Sequence, residues 1–191
     1  MNTINDNFSQ LYKKYANSLY GFGMGMGISH DTCLDIIHDI FCKLIEKNMV
    51  FETESIKHYL FRSFINRYLD IQKSRKREIS GDINKLPYTI DVSLEDINVE
   101  GYIIEQEEKE KLKKKVEFLM GMLTHRQRQA VYFRYMEEME YEEIGKLLDM
   151  TAESVRKLVY RGLEKMRKHA GDIPILFLLT FLKKTVHKKF L

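Results

Sequence analysis

Arg156, Lys157, Tyr160, Arg161, Lys165, Arg167 and Lys168 share one side of a segment. Its other side carries Val155, Leu158, Val159, Gly162, Leu163 and Met166 at i, i+3, i+4, i+7 spacing. Guanidinium and ammonium groups in such a row neutralise phosphates, and arginine can donate to guanine O6 and N7 in the major groove. Thr151 stands where it can cap the start of this helix. A shorter helix is expected over about Tyr141–Leu148, broken off at Asp149, Met150 and Thr151. Before it, Thr124 with Gln127 three residues on forms a capping box that opens a further helix. Short helix, three-residue turn and basic amphipathic helix predict a helix-turn-helix, whose second helix is suited to the major groove. A solvated basic face on an ordinary bundle helix would carry the charges without the turn.

A second constellation lies upstream. The segment from about Ser55 to Lys73 turns Ile56, Leu60, Phe64, Ile65 and Leu69 inward, and its other positions include Tyr59, Arg62, Asn66, Arg67, Tyr68 and Asp70 before the run KSRKR. Aromatic, amide and basic side chains together suit single-stranded nucleic acid, which needs stacking surfaces, donors for open base edges and phosphate partners. Taken singly, Tyr59 and Tyr68 fit a core as well. In the helix expected over about His30–Lys47, with Ser29 as its cap, the inward stripe is Leu34, Ile37, Ile40, Phe41, Leu44 and Ile45. Asp31, Asp35, His38, Asp39 and Glu46 lie largely off it, an acidic edge suited to a basic helical partner. Asp35 and His38 stand at i, i+3, but a di-iron type of site needs a matching acid-x-x-His on a facing helix, and the neighbouring helical segments offer none. No metal is expected.

The elements that must position these residues are helical. Two prolines, 10 glycines and no strand alternation in 191 residues predict an all-α protein, and 44% hydrophobic residues suffice for small helical cores. The net charge of +3 is not diagnostic, but basic residues gather at Lys73–Arg77, on the helix ending at Lys168, and in the last residues. The first helix is expected over about Phe8–Phe22 and meets Gly21, Gly23, Gly25 and Gly27. Their spacing matches neither GxGxxG nor a Walker loop, so they should end the helix or admit a close neighbour. From Glu78 to Glu108 acids predominate, and about Ile79–Val99 is expected to be a linker that, extended, spans at most roughly 66 to 72 Å. Cys33 and Cys42 lie in no metal-ligand pattern and fit a reducing cytoplasm. The N-terminal residues carry no signal-peptide pattern. The apolar run Ile175–Leu182 is too short to span a membrane, and should pack on the protein's own domains or on a partner.

The run YEEIGKLLDMTAESVRKLVYRGLEKMRK resembles region four of bacterial sigma-70-type initiation factors, particularly the extracytoplasmic-function group. The likeness rests on Tyr141, Glu142, Glu143, Ile144, Val155, Arg156, Leu158, Arg161, Leu163 and Met166. Gly145 stands where the family usually has alanine, and Glu153 where a glycine is usual. The segment DIIHDIFCKLIEKN resembles region two, with Asp35, Asp39 and Phe41 matching and His38 in place of the usual glutamine. The resemblance covers about Phe8–Arg77 and Glu110–His169.

It implies a region-two-like domain over residues 1–77, an acidic linker over 78–100, a region-four-like domain over 101–170 and a tail over 171–191. Polymerase docking falls to Asp35, Ile36, His38, Asp39, Phe41, Cys42 and Lys43. Reading of the minus-10 element falls to Arg62, Asn66, Arg67, Asp70, Lys73, Arg75, Lys76 and Arg77, with the base contact open among Arg62, Asn66 and Asp70. Reading of the minus-35 element falls to Thr151, Ser154, Arg156, Lys157, Tyr160, Arg161 and Lys165. The implied partners are core RNA polymerase, through the clamp helices of its largest subunit and its flap, promoter DNA, and an anti-sigma protein, commonly membrane-anchored. No cofactor, no small-molecule substrate and no catalysis are expected, and the implied location is the cytoplasm. Response-regulator output domains carry a similar helix-turn-helix, so a stand-alone DNA-binding regulator is the alternative.

Overall fold

Among the residues described by the computed structural model, 3–47, 53–78 and 106–186, every element is an α-helix. In chain order these are α1 (Thr3–Gly25), α2 (His30–Glu46), α3 (Thr53–Glu78), α4 (Gln106–Met122), α5 (His125–Tyr135), α6 (Tyr141–Leu148), α7 (Ala152–Ala170) and α8 (Ile175–Val186). The expected acidic linker lies almost wholly outside the described residues.

Helices α1, α2 and α3 pack on one another around Leu19, Phe22, Ile36, Ile37, Leu44, Ile56, Leu60 and Phe64. The glycine-rich end of α1 is what lets its neighbours approach. A Cβ on Gly23 would lie 2.4 Å from the Cys33 sulfur and 2.8 Å from the Phe64 ring, and one on Gly25 would lie 3.1 Å from the Tyr132 ring. Helix α1 therefore runs three residues past the expected end at Phe22, its glycines packed rather than uncoiled. Ser29 stands at the N-cap of α2, but its hydroxyl bonds the Thr32 hydroxyl at 2.8 Å instead of a backbone N–H.

The second unit, α4 to α8, closes over Leu119, Met120, Val131, Ile144, Leu147, Val155, Met166 and Leu178. Its expected punctuation is present: Thr124 and Gln127 form both halves of the capping box that opens α5, and Thr151 accepts from the Ser154 N–H to open α7. The segment after Pro174, expected to pack on the protein itself or on a partner, forms α8, which buries Leu178, Leu179 and Phe181 against α4, α5, α7 and α1.

The two units share one continuous core. Phe22 of α1 stacks on Phe133 of α5 at 4.8 Å between ring centroids, and Phe61 of α3 meets Phe133 edge-on at 5.3 Å. Tyr132 joins the same cluster, 5.3 Å from Phe22. Such pairs contribute about 0.5 to 1.5 kcal/mol each beyond the area they bury. This interface corrects the expected core of α3, where Phe61 is fully buried while Leu69 is 43% exposed. The inward stripe of α3 is rotated toward Phe61 because that side meets the second unit.

Candidate nucleic-acid and partner interface

The helix-turn-helix is built by backbone chemistry at its turn. Asp149 takes a left-handed conformation (φ 56°) that ends α6, and the Met150 N–H donates to the Gly145 carbonyl at 2.9 Å. A Cβ on Gly145 would lie 2.6 Å from the Met150 carbonyl oxygen, so glycine is what allows so tight a turn. Arg126 of α5 donates to the Leu148 carbonyl at 3.0 Å, which satisfies an orphan acceptor at the end of α6.

With α7 anchored by Val155, Val159, Gly162 and Met166, its outer face presents Arg156, Lys157, Tyr160 and Arg161 to solvent, Tyr160 at 67% exposure. The Arg156 guanidinium lies over the Tyr141 ring at 5.1 Å, and Arg134 approaches the same ring at 4.9 Å. Stacking on Tyr141 braces Arg156 at the surface without neutralising it. Lys157 pairs with Glu153 at 2.6 Å, so the unusual acid near the helix start is spent on a neighbour one turn away. Lys165 is placed differently. Its ammonium donates to the Met122 carbonyl at 2.6 Å and so closes the end of α4. Thr151 and Ser154 face each other across the cap, their hydroxyls 2.9 Å apart.

On α3, Asn66, Arg67, Asp70 and Lys73 are exposed, and Arg75, Lys76 and Arg77 continue the same helix with side chains outside the described set. Arg67 grips Asp39 of α2 through Nε at 2.9 Å and Nη2 at 2.7 Å, so a minus-10 candidate and a docking candidate are one ion pair. Arg62 turns to the other unit, donating to the Leu147 carbonyl and to Asp149, each at 2.5 Å. Tyr59 and Tyr68 pack partly buried against the core. Of the docking candidates on α2, Asp35, His38 and Lys43 are exposed, and Asp39 and Cys42 are half-buried. Ile36 and Phe41, expected at the docking surface, are core residues here: Ile36 is sealed inside and Phe41 packs edge-on against Tyr12, so both lie beneath the exposed edge of α2. Cys42 lies 3.5 Å from the His38 ring at the surface, whereas burial pushes the Cys33 thiol up to about 12, which leaves it inert. Among the described residues no group of three or more His, Cys, Asp and Glu side chains could hold a metal ion.

Residues 113–166, the stretch holding this turn and the outer face of α7, match the family described as Sigma-70, region 4. The chain is also 18% identical over 158 residues to the ECF RNA polymerase sigma factor SigM of Bacillus subtilis (strain 168), covering 83% of this chain and 91% of that protein. Over that stretch the chain is similar to region 4 of the sigma-70 family, and over most of its length to a sigma factor of the extracytoplasmic-function group. Its fold agrees with that of the sigma factor RpoE from Bartonella quintana, solved in complex with the anti-sigma factor NepR. The TM-score is 0.63 at 19% identity, over 88% of this chain and 99% of that one.

Several residues of the chain work where sequence periodicity is silent. Lys57 of α3 reaches Glu137, in the connection between α5 and α6, through its carboxylate at 3.0 Å and its carbonyl at 2.9 Å. Arg128 of α5 donates to the Met120 and Leu123 carbonyls of its own unit and to the Met26 carbonyl of the other. Nothing in the run MEEME separates Glu137 from the exposed Glu138 and Glu140, so its burial left no mark in the sequence.

Proposed function

We propose that the chain is an extracytoplasmic-function sigma factor that binds core RNA polymerase and directs it to chosen promoters. The observation that carries this reading is the capped helix-turn-helix whose exposed, braced arginine face falls inside the stretch matching region 4. Helix α7 enters the major groove of the minus-35 element with Arg156 and Arg161 at base edges and Lys157 and Tyr160 beside them. Thr151 and Ser154 bring the start of that helix to the backbone, and Lys165 acts through the frame it closes. Helix α3 receives the melted minus-10 strand along Arg62, Asn66, Arg67, Asp70 and the basic run Lys73–Arg77. The acidic edge of α2, at Asp35, His38, Asp39, Cys42 and Lys43, docks the clamp helices of polymerase.

Residues 1–77 and 101–170 form the two working domains, joined by the acidic stretch 78–100 and followed by the tail 171–191. The chain contributes binding energy and no catalysis of its own. It works in the cytoplasm, where polymerase does, and an anti-sigma protein holds it in reserve, as NepR is found with RpoE. Transcription by core polymerase with and without the chain, followed by mapping of start sites, tests the reading, and new, discrete start sites are expected. Asp35→Arg should abolish them with the helical signal intact; Asp35 is a cleaner probe than Asp39, which also holds Arg67. Specific binding of the pure protein to a palindromic duplex, with no effect on polymerase, would favour the stand-alone regulator instead.

A further inference from the structure

Arg156 and Arg161 are both exposed on the outer face of α7, and among the described residues neither carries an ion pair. Arg156 alone of the two rests on a ring there, its guanidinium 5.1 Å from the centre of Tyr141. Arg134 of α5 stands 4.9 Å from the same ring. One tyrosine at the start of α6 is thus shared by a guanidinium from the helix before it and another from the helix after it. We propose that Tyr141, held by Arg134 and Glu140, is a positioning residue for the minus-35 element: it fixes the plane of the Arg156 guanidinium and so sets how sharply one base pair is discriminated. This role rests on the sigma-factor reading above.

The two arginines on the ring are not equivalent. Arg134 donates through Nη1 to the Met139 carbonyl at 3.0 Å and pairs with the Glu140 carboxylate at 3.0 Å, so it is committed to the protein. The Glu140 backbone N–H in turn donates to the Glu143 carboxylate at 2.7 Å, which fixes the residue beside Tyr141 at the helix start. Tyr141 itself is half-buried and packs against the core. The ring is therefore held by the end of α5 and the start of α6, and Arg156 is the member that faces solvent. Bidentate donation to guanine O6 and N7 needs two N–H groups in one plane, aimed at one base edge. A carboxylate would restrain the guanidinium too, but it would occupy those N–H groups, as Glu153 occupies the Lys157 ammonium. An aromatic ring attracts the cation through its face and leaves the N–H groups at the guanidinium edge open. Tyr141 thus limits the motion of Arg156 while its donors stay available for a base. Arg161 has no such rest among the described residues, so a change at Tyr141 should leave its contact as it was.

The test uses the full chain with core RNA polymerase in a promoter-library selection, read as base preference at each minus-35 position and as the salt dependence of promoter binding. Arg156→Ala identifies the position that Arg156 reads. Tyr141→Leu should lower preference at that same position on the order of fivefold, with the other positions and the salt slope unchanged, because no phosphate contact is lost. Tyr141→Phe keeps the ring and should keep the parent's profile. Tyr141→Leu added to Arg156→Ala should change nothing further, since the group being positioned is gone. Should the leucine variant lose its helical signal, Tyr141→Met, apolar and flexible, takes its place. An unchanged profile in the folded variant, a loss spread evenly over all positions, a phenylalanine variant that behaves like the leucine one, or an Arg156→Ala profile equal to the parent's overturns the positioning role and leaves the sigma-factor reading standing. A parent chain that gives polymerase no promoter selectivity overturns that reading, and the role of Tyr141 with it.

Discussion

Arg156 and Lys165 sit nine residues apart on one helix, and the structure gives them different work. Arg156 is exposed and rests on the Tyr141 ring, so its five donors are presented with little freedom left to lose on meeting a base. Lys165 is committed to the Met122 carbonyl. If Arg156 reads a guanine edge, Arg156→Ala should cost about 1 to 3 kcal/mol and relax preference at one position of the minus-35 element. A promoter-library selection with holoenzyme measures this, and an unchanged base profile would remove Arg156 from the reading surface. Both residues were legible in the sequence as basic positions on the polar side of α7. Their division of labour was not, since a carbonyl acceptor 43 residues away leaves no mark on helical periodicity.

At the scale of elements, the turn of the helix-turn-helix shows how a departure from the family pattern is accommodated. Alanine is usual in the family where this chain has Gly145, and here a Cβ would press on the Met150 carbonyl oxygen at 2.6 Å. The obstacle is backbone, which cannot swing aside as a side chain would. Gly145→Ala should therefore lower stability: overlap costs about 1 to 3 kcal/mol, which the better helix propensity of alanine offsets by about 1 kcal/mol. Urea unfolding would show a lower midpoint at unchanged slope, whereas an equal or higher midpoint would mean the turn relaxes freely. The starts of α5 and α7 needed no such correction, because Thr124 with Gln127 and Thr151 with Ser154 cap locally, within three residues of chain.

For the whole molecule, the consequence of the shared core is that the two units should hold together without the covalent connection. Phe22, Phe61, Tyr132 and Phe133 form one aromatic cluster, and Lys57, Arg62 and Arg128 cross the same boundary. A protease site placed between residues 79 and 105, once cleaved, should leave two fragments that co-elute as one species in size-exclusion chromatography. Fragments eluting separately would show that the packing is too weak to matter in solution.

Local order was written in the residues themselves: the helical class, the capping box at Thr124, the cap at Thr151, the turn at Asp149–Thr151, and the two-sided character of α7 follow from spacing and side-chain chemistry over a few residues. The resemblance of two short runs carried the family from the same text. Only the tertiary structure decided that Ile36 and Phe41 lie beneath the exposed edge of α2, that Phe61 rather than Leu69 turns inward, that Arg62 faces Asp149, and that α8 packs on α1. These depend on which surfaces meet between stretches distant in the chain, as with Phe61 and Phe133 or Arg62 and Asp149. An amphipathic pattern states that a side must be covered and leaves open what covers it.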